Sequence, residues 1–213
     1  MKVLGVTPAR GGSKGVSRKN LRICCGKPLI AWTIEAAAAS ALLDRYVVST
    51  EDAEIAAIAR QYGADVLDRP ADLATDTATT LSVLQHVLSA LPSDVVVLMQ
   101  ATSPVRDPDL VDRCIRRLLE SGADSLATGY MCKCVEYGAA HRRQDAPGFF
   151  YDDGNVYVYR GERIIQGDPI GGRVERVLVD REQNVDVDDE FDLWLAEQVL
   201  ERRSRRARSG AEQ

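Results

Sequence analysis

The chain has 213 residues, 45% of them hydrophobic and 28% charged, with a formal net charge of −5. That size suits one α/β domain with at most a small appendage, and the composition is that of a globular rather than a disordered protein. The acidic balance argues against a general nucleic-acid binder, no apolar run is long enough to cross a membrane, and the N-terminus lacks a secretory pattern, so the expected location is the cytoplasm.

The predicted elements alternate from the start. "VLGVTP" at 3–8 reads as a strand, and "KPLIAWTIEAAAAS" at 27–40 as a helix with Pro28 in its first turn. "RYVVST" at 45–50 is a second strand, followed by a helix over 51–63 that Gly63 stops. "ADVLDRP" at 64–70 is a short third strand, and 75–91 reads as a helix capped by Thr75 or Asp76. "DVVVLMQ" at 94–100 is uniformly apolar, as in the centre of a parallel sheet. A helix over 107–122 and a strand over 123–130 complete the regular part.

After Met131 the rhythm changes. "NVYVYRG" at 155–161 and "RVERVLVD" at 173–180 suggest further strands, antiparallel to the rest, on a small excursion. An amphipathic helix over 188–204 closes the chain, with Phe191, Leu193, Trp194, Leu195, Val199 and Leu200 supplying its apolar side. The pattern predicts a Rossmann-like, doubly wound and mostly parallel α/β sheet with a β-excursion near the C-terminal third. Residues 1–205 are expected to form one domain, with the excursion at 155–180 and a solvated tail at 206–213.

The first strand runs into "TPARGGSKGVSRKN". In an open parallel sheet such a loop lies at the carboxyl ends of the strands, where ligands bind. Gly11, Gly12 and Gly15 let backbone N–H groups approach an anion, and Arg10, Lys14, Arg18 and Lys19 add charge. The spacing is neither a Walker A loop nor the dinucleotide fingerprint. The residues alone leave two readings, a phosphate-binding loop or a loop of solvated charges. Five cysteines without a secretory pattern point to free thiols, with Cys132–Lys133–Cys134 at most half of a metal site. "DVDDEF" at 186–191 reads either as an acidic helix start or as a pair of metal ligands, since Asp186 and Asp188 share one side of an extended segment.

"PARGGSKGVSRKNL" at 8–21 closely resembles the nucleotide-binding motif of the CMP-sialic acid synthetases, the acylneuraminate cytidylyltransferases. "RPADLATDTATT" at 69–80, "LMQATSPVR" at 98–106 and "NVDVDDEFD" at 184–192 match later motifs of that family in the same order. The resemblance implies a nucleotidyltransferase that joins CMP from CTP to an acidic acceptor and releases pyrophosphate. It implies triphosphate contacts at Arg10, Ser13 and Lys19, with Gly11 and Gly12 beside them, and a cytidine pocket of Asn20 and Arg69 with Ala9 and Thr80 nearby. It further implies acceptor contacts at Gln100 and Tyr157, a divalent cation such as Mg²⁺ at Asp186 and Asp188, and a homodimer. Arg10, Lys19 and Asp188 would carry the catalysis. A non-catalytic nucleotide-binding module with the same fold is the alternative, and the intact Lys19, Asp186 and Asp188 speak against it.

On the acceptor side the sequence departs from the family. The stretch from Met131 to Gly154 looks shortened, and the family's Arg-Pro-Asn-Gly reads Tyr151-Asp152-Asp153-Gly154. The expected acceptor is therefore either a nonulosonic sugar acid of the sialic or legionaminic type or a smaller acid, such as a phosphonoformate-like phosphonate.

Overall fold

The computed structural model describes residues 1–12, 15–134 and 142–211. Nine strands are described: β1 (Val3–Pro8), β2 (Ile23–Cys24), β3 (Lys27–Pro28), β4 (Arg45–Thr50), β5 (Asp65–Asp68), β6 (Val95–Met99), β7 (Ser125–Cys132), β8 (Phe149–Arg160) and β9 (Val174–Leu178). The helices are α1 (Leu29–Ala38), α2 (Ala53–Gln61), α3 (Thr80–Ala90), α4 (Leu110–Ser121), α5 (Gly161–Ile165) and α6 (Glu190–Ala211). Seven strands form one sheet in the order β5-β4-β1-β6-β8-β7-β9, and β2 and β3 make a separate small hairpin.

Strand β6 shows why the centre of the sheet is apolar on both sides. Val95, Val97 and Met99 pack against α4, while Val96 and Leu98 pack with α3 and with Ile164 of α5. All five residues are buried, so this strand reads as a continuous apolar run. Helix ends follow ordinary rules. Gly63 and Gly122 adopt positive φ, 87° and 67°, just beyond α2 and α4. Asp52 caps α2 by accepting from the N–H groups of Glu54 and Ile55, both at 2.9 Å.

Two expectations need correction. The cap of α3 is Thr79, whose hydroxyl accepts from Ser82 N–H at 3.1 Å, and not Thr75 or Asp76. The helix starts at Thr80, so residues 75–79 remain outside it beside the cleft. In α6, Leu193, Ala196, Val199 and Leu200 are buried, whereas Phe191 and Trp194 lie tilted against each other in solvent. The segment at 206–211, expected as a solvated tail, continues α6 with its described side chains exposed.

The later strands join the main sheet. β8 is the antiparallel element, wedged between β6 and β7, and β9 adds a parallel edge to β7. The pairing of β8 with β7 is interrupted between Ala127 and Gly129, where Asp153 to Val156 bulge out of the ladder. Bulges re-aim backbone and side chains, and this one reaches the cleft at the carboxyl ends of β1 and β6.

Candidate active site

The loop after β1 is fitted closely to its neighbours. Gly11 N–H donates to Glu51 at 2.7 Å, and a Cβ on Gly11 would lie 2.4 Å from Asp52 Oδ2. A Cβ on Gly15 would lie 2.0 Å from the carbonyl oxygen of Asp188. Glycine is therefore required where the loop meets the segment before α6. Arg18 turns the chain through a left-handed conformation, φ 53°, into a single 3₁₀ turn over Lys19–Leu21. That turn points the Lys19 ammonium at Asp188, with an Nζ–Oδ1 distance of 2.9 Å.

Three cavities meet at Gln100. One, about 280 Å³, is lined by Arg10, Gly12, Lys19, Asn20, Gln100 and Asp188, among others. The second, about 240 Å³, brings together Arg10, Arg69, Asp76, Thr79, Thr80 and Gln100. The third, about 420 Å³, runs from Thr80 and Gln100 past Asp152 and Tyr157 to Arg176. Gln100 is held from behind, because its backbone carbonyl accepts from Arg106 at 2.6 Å and from Thr33 at 3.0 Å. Its side chain is left to face the cavities.

The first two cavities carry the charge a nucleotide triphosphate needs. Arg10 lies 2.8 Å from Asp76, and Asn20 donates to the Arg10 carbonyl at 3.1 Å. Arg69 is buried; it donates through Nε to Ser49 Oγ at 3.3 Å and through its other nitrogen to the Ser49 carbonyl. Burial pulls the Arg69 guanidinium below its ordinary pKa, with the nearby Arg10 adding to the effect. Ala9 and Gly11 stay outside the cavity walls: Ala9 is buried beneath the loop with its N–H on the Ser49 carbonyl at 3.0 Å. Ser13 and Lys14 lie outside the described residues.

Asp186 and Asp188 alternate with Val185 and Val187, which are packed into the core under α6. Val187 N–H donates to the Thr102 carbonyl at 2.8 Å, which fastens the segment to the loop after β6. The Asp186 residue is exposed at the mouth of the cleft, yet its carboxyl is pushed above the usual carboxylate range. Desolvation in the cleft is the first cause, and the negative charge of Asp188 adds to it against a hydrogen bond from Thr102 and the charge of Lys19. Two like charges on one side of a short segment disfavour their joint ionisation, and a shared cation would offset them. Among the described residues no third His, Cys, Asp or Glu completes a cluster, so such a cation would take further oxygens from elsewhere. Asp189 serves the other expected role, accepting from Phe191 N–H at 2.8 Å and Asp192 N–H at 2.9 Å at the start of α6.

The wall of the third cavity comes from the β8 bulge. Gly154 has φ 71°, and a Cβ there would lie 3.6 Å from Asp186 Oδ2 and 3.9 Å from Gln100 Nε2. Burial, together with the charge of the nearby Asp152 carboxylate, holds the Tyr157 hydroxyl above the usual phenol range. It stays a neutral hydrogen-bonding group. Tyr157 also stacks on Tyr159, with ring centroids 6.1 Å apart.

Sequence reading passed over Arg106 and Asp76. Arg106 donates to Thr33 Oγ1, the Gln100 carbonyl and the Asn155 carbonyl at 2.7, 2.6 and 3.1 Å, tying the loop after β6 to β8. Burial brings its pKa down to about 10. The available signal was an arginine ending a run that begins with a wholly apolar strand. Asp76 was read as a helix cap, and its place against Arg10 has no local signature.

A Rossmann-like sheet whose first loop, fourth parallel strand and C-terminal carboxylates converge on one cleft defines a nucleotide-handling protein. The sequence profile described as Cytidylyltransferase matches residues 4–149. The chain is 28% identical to the N-acylneuraminate cytidylyltransferase of Escherichia coli O18:K1:H7 over 96% of its own length, and spans about half, 53%, of that relative. It is 30% identical to the CMP-N,N'-diacetyllegionaminic acid synthase of Legionella pneumophila, covering 94% of this chain and 97% of that one. A solved structure of CMP:2-keto-3-deoxy-manno-octonic acid synthetase complexed with CTP shares the fold, with a TM-score of 0.77 at 16% identity over 95% of this chain and 100% of that one. The chain belongs to the cytidylyltransferase family, among the CMP-sialic acid synthetases.

Proposed function

We propose that the protein transfers CMP from CTP to a nonulosonic sugar acid of the sialic or legionaminic type and releases pyrophosphate. The observation that carries this reading is the meeting of three cavities at Gln100, with Arg10, Lys19 and Asp188 on one side and Tyr157 on the other. The triphosphate would lie in the glycine loop, and the nucleoside would lie between Arg69 and Thr80. The acceptor hydroxyl loses its proton to solvent as its oxygen attacks the α-phosphorus, and the bond to the β-phosphate breaks in line with it, with pyrophosphate as the leaving group. Arg10 and Lys19 offset the charge that develops, which requires each to exchange its carboxylate partner for phosphate oxygens. Asp186 and Asp188 would hold a divalent cation, which supplies charge neutralisation and orientation of the acceptor.

The family relatives support a sugar acid, and neither they nor the size of the third cavity supports the small phosphonate. The exposed Met131, Phe149, Tyr151, Val174 and Leu178 on β7, β8 and β9 support a homodimer built on this edge.

Pyrophosphate release tests the reading, measured with each of the four nucleoside triphosphates and a panel of N-acetylneuraminate, N,N'-diacetyllegionaminate and small phosphonic acids. Turnover with CTP and a sugar acid, lost in Asp188→Ala with the fold intact, is expected. Equal turnover of UTP, or efficient turnover of phosphonates alone, would overturn it.

A further inference from the structure

The third cavity is built at its far end as carefully as at Gln100. One row of residues crosses the sheet in register: Leu98 of β6 opposite Tyr157 of β8, Tyr157 opposite Ala127 of β7, and Ala127 opposite Arg176 of β9. Three strand spacings separate the ends of this row, about 14 Å. The small side chain of Ala127 leaves the middle open. The loop between α5 and β9 roofs the far end through Ile170, whose carbonyl accepts from Ser125 Oγ at 2.6 Å. Asp124 pins the same loop by accepting from Gly172 and Arg173 N–H, both at 2.9 Å.

Among the described residues lining this cavity, Arg176 is the one cation. Its guanidinium lies 5.3 Å from the centroid of the Phe150 ring and pairs with no carboxylate among the described residues. Its neighbour Glu175 is committed elsewhere, to Arg117 at 3.0 Å. A planar cation held on an aromatic face keeps its donor edges free for a ligand oxygen. The near end of the cavity has the opposite character: the Asp152 carboxylate accepts from Gly154 N–H at 3.0 Å, beside the bulge that approaches Asp186.

Resting on the cytidylyl-transfer reading above, we infer that Arg176 is a specificity-determining residue that reads the far end of the acceptor. The group it fits is an acyl-amide carbonyl or another acceptor oxygen several carbons away from the reacting hydroxyl. A two- or three-carbon acid cannot reach from Gln100 to Arg176, whereas an acylated nine-carbon acid spans the row. Within the acceptor class proposed above, Arg176 would read an acylamino substituent on the distal half.

The test compares wild type with Arg176→Met, which keeps the apolar stem over Phe150, and with Arg176→Lys. The acceptors are N,N'-diacetyllegionaminate and 2-keto-3-deoxy-manno-octonate, which lacks acylamino groups. Arg176→Met is expected to raise KM for the acylated acid about 10- to 100-fold, the range for losing a charged hydrogen bond. Its kcat, its KM for CTP and its sedimentation should match wild type, the octonate should lose less than about threefold, and Arg176→Lys should recover part of the loss. An unchanged KM for the acylated acid, an equal loss on both acids, or a change of oligomeric state in Arg176→Met would overturn the assignment. Wild-type enzyme that binds CTP but turns over neither acid would overturn the cytidylyl-transfer reading, and this inference with it.

Discussion

Replacing Gly15 by alanine puts one methyl group against the most crowded contact in the cleft. The added Cβ would lie 2.0 Å from the carbonyl oxygen of Asp188. To reach an ordinary contact of about 3.2 Å, the loop and the segment before α6 must separate by about 1.2 Å, and a displacement of about 1 Å at a reacting centre costs on the order of 10²-fold in rate. Lys19 sits on one side of that gap and Asp188 on the other, so their 2.9 Å contact opens with it. Gly15 and Asp188 are both exposed, so the strain is relieved locally and Tm should move by no more than about 2 °C. Continuous pyrophosphate release at saturating CTP and acceptor, with a melting curve on the same samples, measures both quantities. Gly12→Ala is the companion variant, because a Cβ there meets nothing within 4 Å in the free protein. Any loss in Gly12→Ala should appear as a raised KM for CTP, when a phosphate takes that space. A Gly15→Ala enzyme that keeps kcat within about threefold of wild type would refute the reasoning, since the contact would then have no part in holding the two carboxylates to the loop.

Three further outcomes are expected. Asp153 is buried with Oδ2 unpartnered, while Thr128 Oγ1 at 2.6 Å and Asn155 N–H at 3.0 Å donate to Oδ1. Burial raises its pKa, so its protonated form suits the fold; that contribution is complete below the unfolded carboxylate value of about 4 and is lost as pH rises through the folded value. Asp153→Asn should therefore be more stable than wild type at pH 8 and equal to it near pH 4 in denaturant titrations, and a gain independent of pH would contradict this account. Burial pushes the Cys24 and Cys114 thiols up to about 12, while Cys134 is exposed, so a thiol reagent at pH 7.5 should label Cys134 first and reach Cys24 and Cys114 only on unfolding. Fast labelling of Cys114 would show that the seam between α4 and the sheet opens. Asp112→Ala strands the hydroxyl of Ser40 and the N–H of Ala41 and takes one of two acceptors from the N–H of Leu42, and should cost about 2–3 kcal/mol, or about 4–12 °C in Tm, with activity at 20 °C unchanged. A Tm within about 1 °C of wild type would show that water replaces the carboxylate there.

How much of this was legible in the sequence depends on whether the signal is local. Strand β6 announced itself, because a short, valine-rich apolar run bounded by polar residues suits a strand covered on both faces. Asp186 and Asp188 were only half legible: their spacing put them on one side of an extended segment, but an acidic helix start explained them as well, and the family resemblance alone separated them from Asp189. The cap of α3 was not, because Thr75, Asp76, Thr77, Thr79 and Thr80 all favour a helix start and only the packing of Val83 and Leu84 against the sheet fixes which one wins. The place of β8 between β6 and β7 was also hidden, since nothing in "NVYVYRG" names its partners more than twenty residues away. Phe191 and Trp194 misled by composition: apolar residues mark a buried face only when their period matches it, and the buried stripe of α6 runs through Leu193, Ala196, Val199 and Leu200. Arg176 was illegible because its value lies in its register against Ala127, a property of three paired strands and of no single one.

The alternation of Val185 and Val187 with Asp186 and Asp188 has a consequence for length as well as for identity. The segment is fixed at one end by Gln183, which exchanges hydrogen bonds with Asp107 at 2.9 Å through both its amide nitrogen and its oxygen. At the other end it is fixed by Asp192, which accepts from Asp188 N–H at 3.0 Å. With both ends held and a side-chain period of two, inserting or deleting one residue between Gln183 and Asp188 would turn the valines into the cleft and the carboxylates into the core under α6. A change of two residues would keep the faces and alter only the reach. The number of residues in this segment is thus as much a part of the site as the two carboxylates it carries.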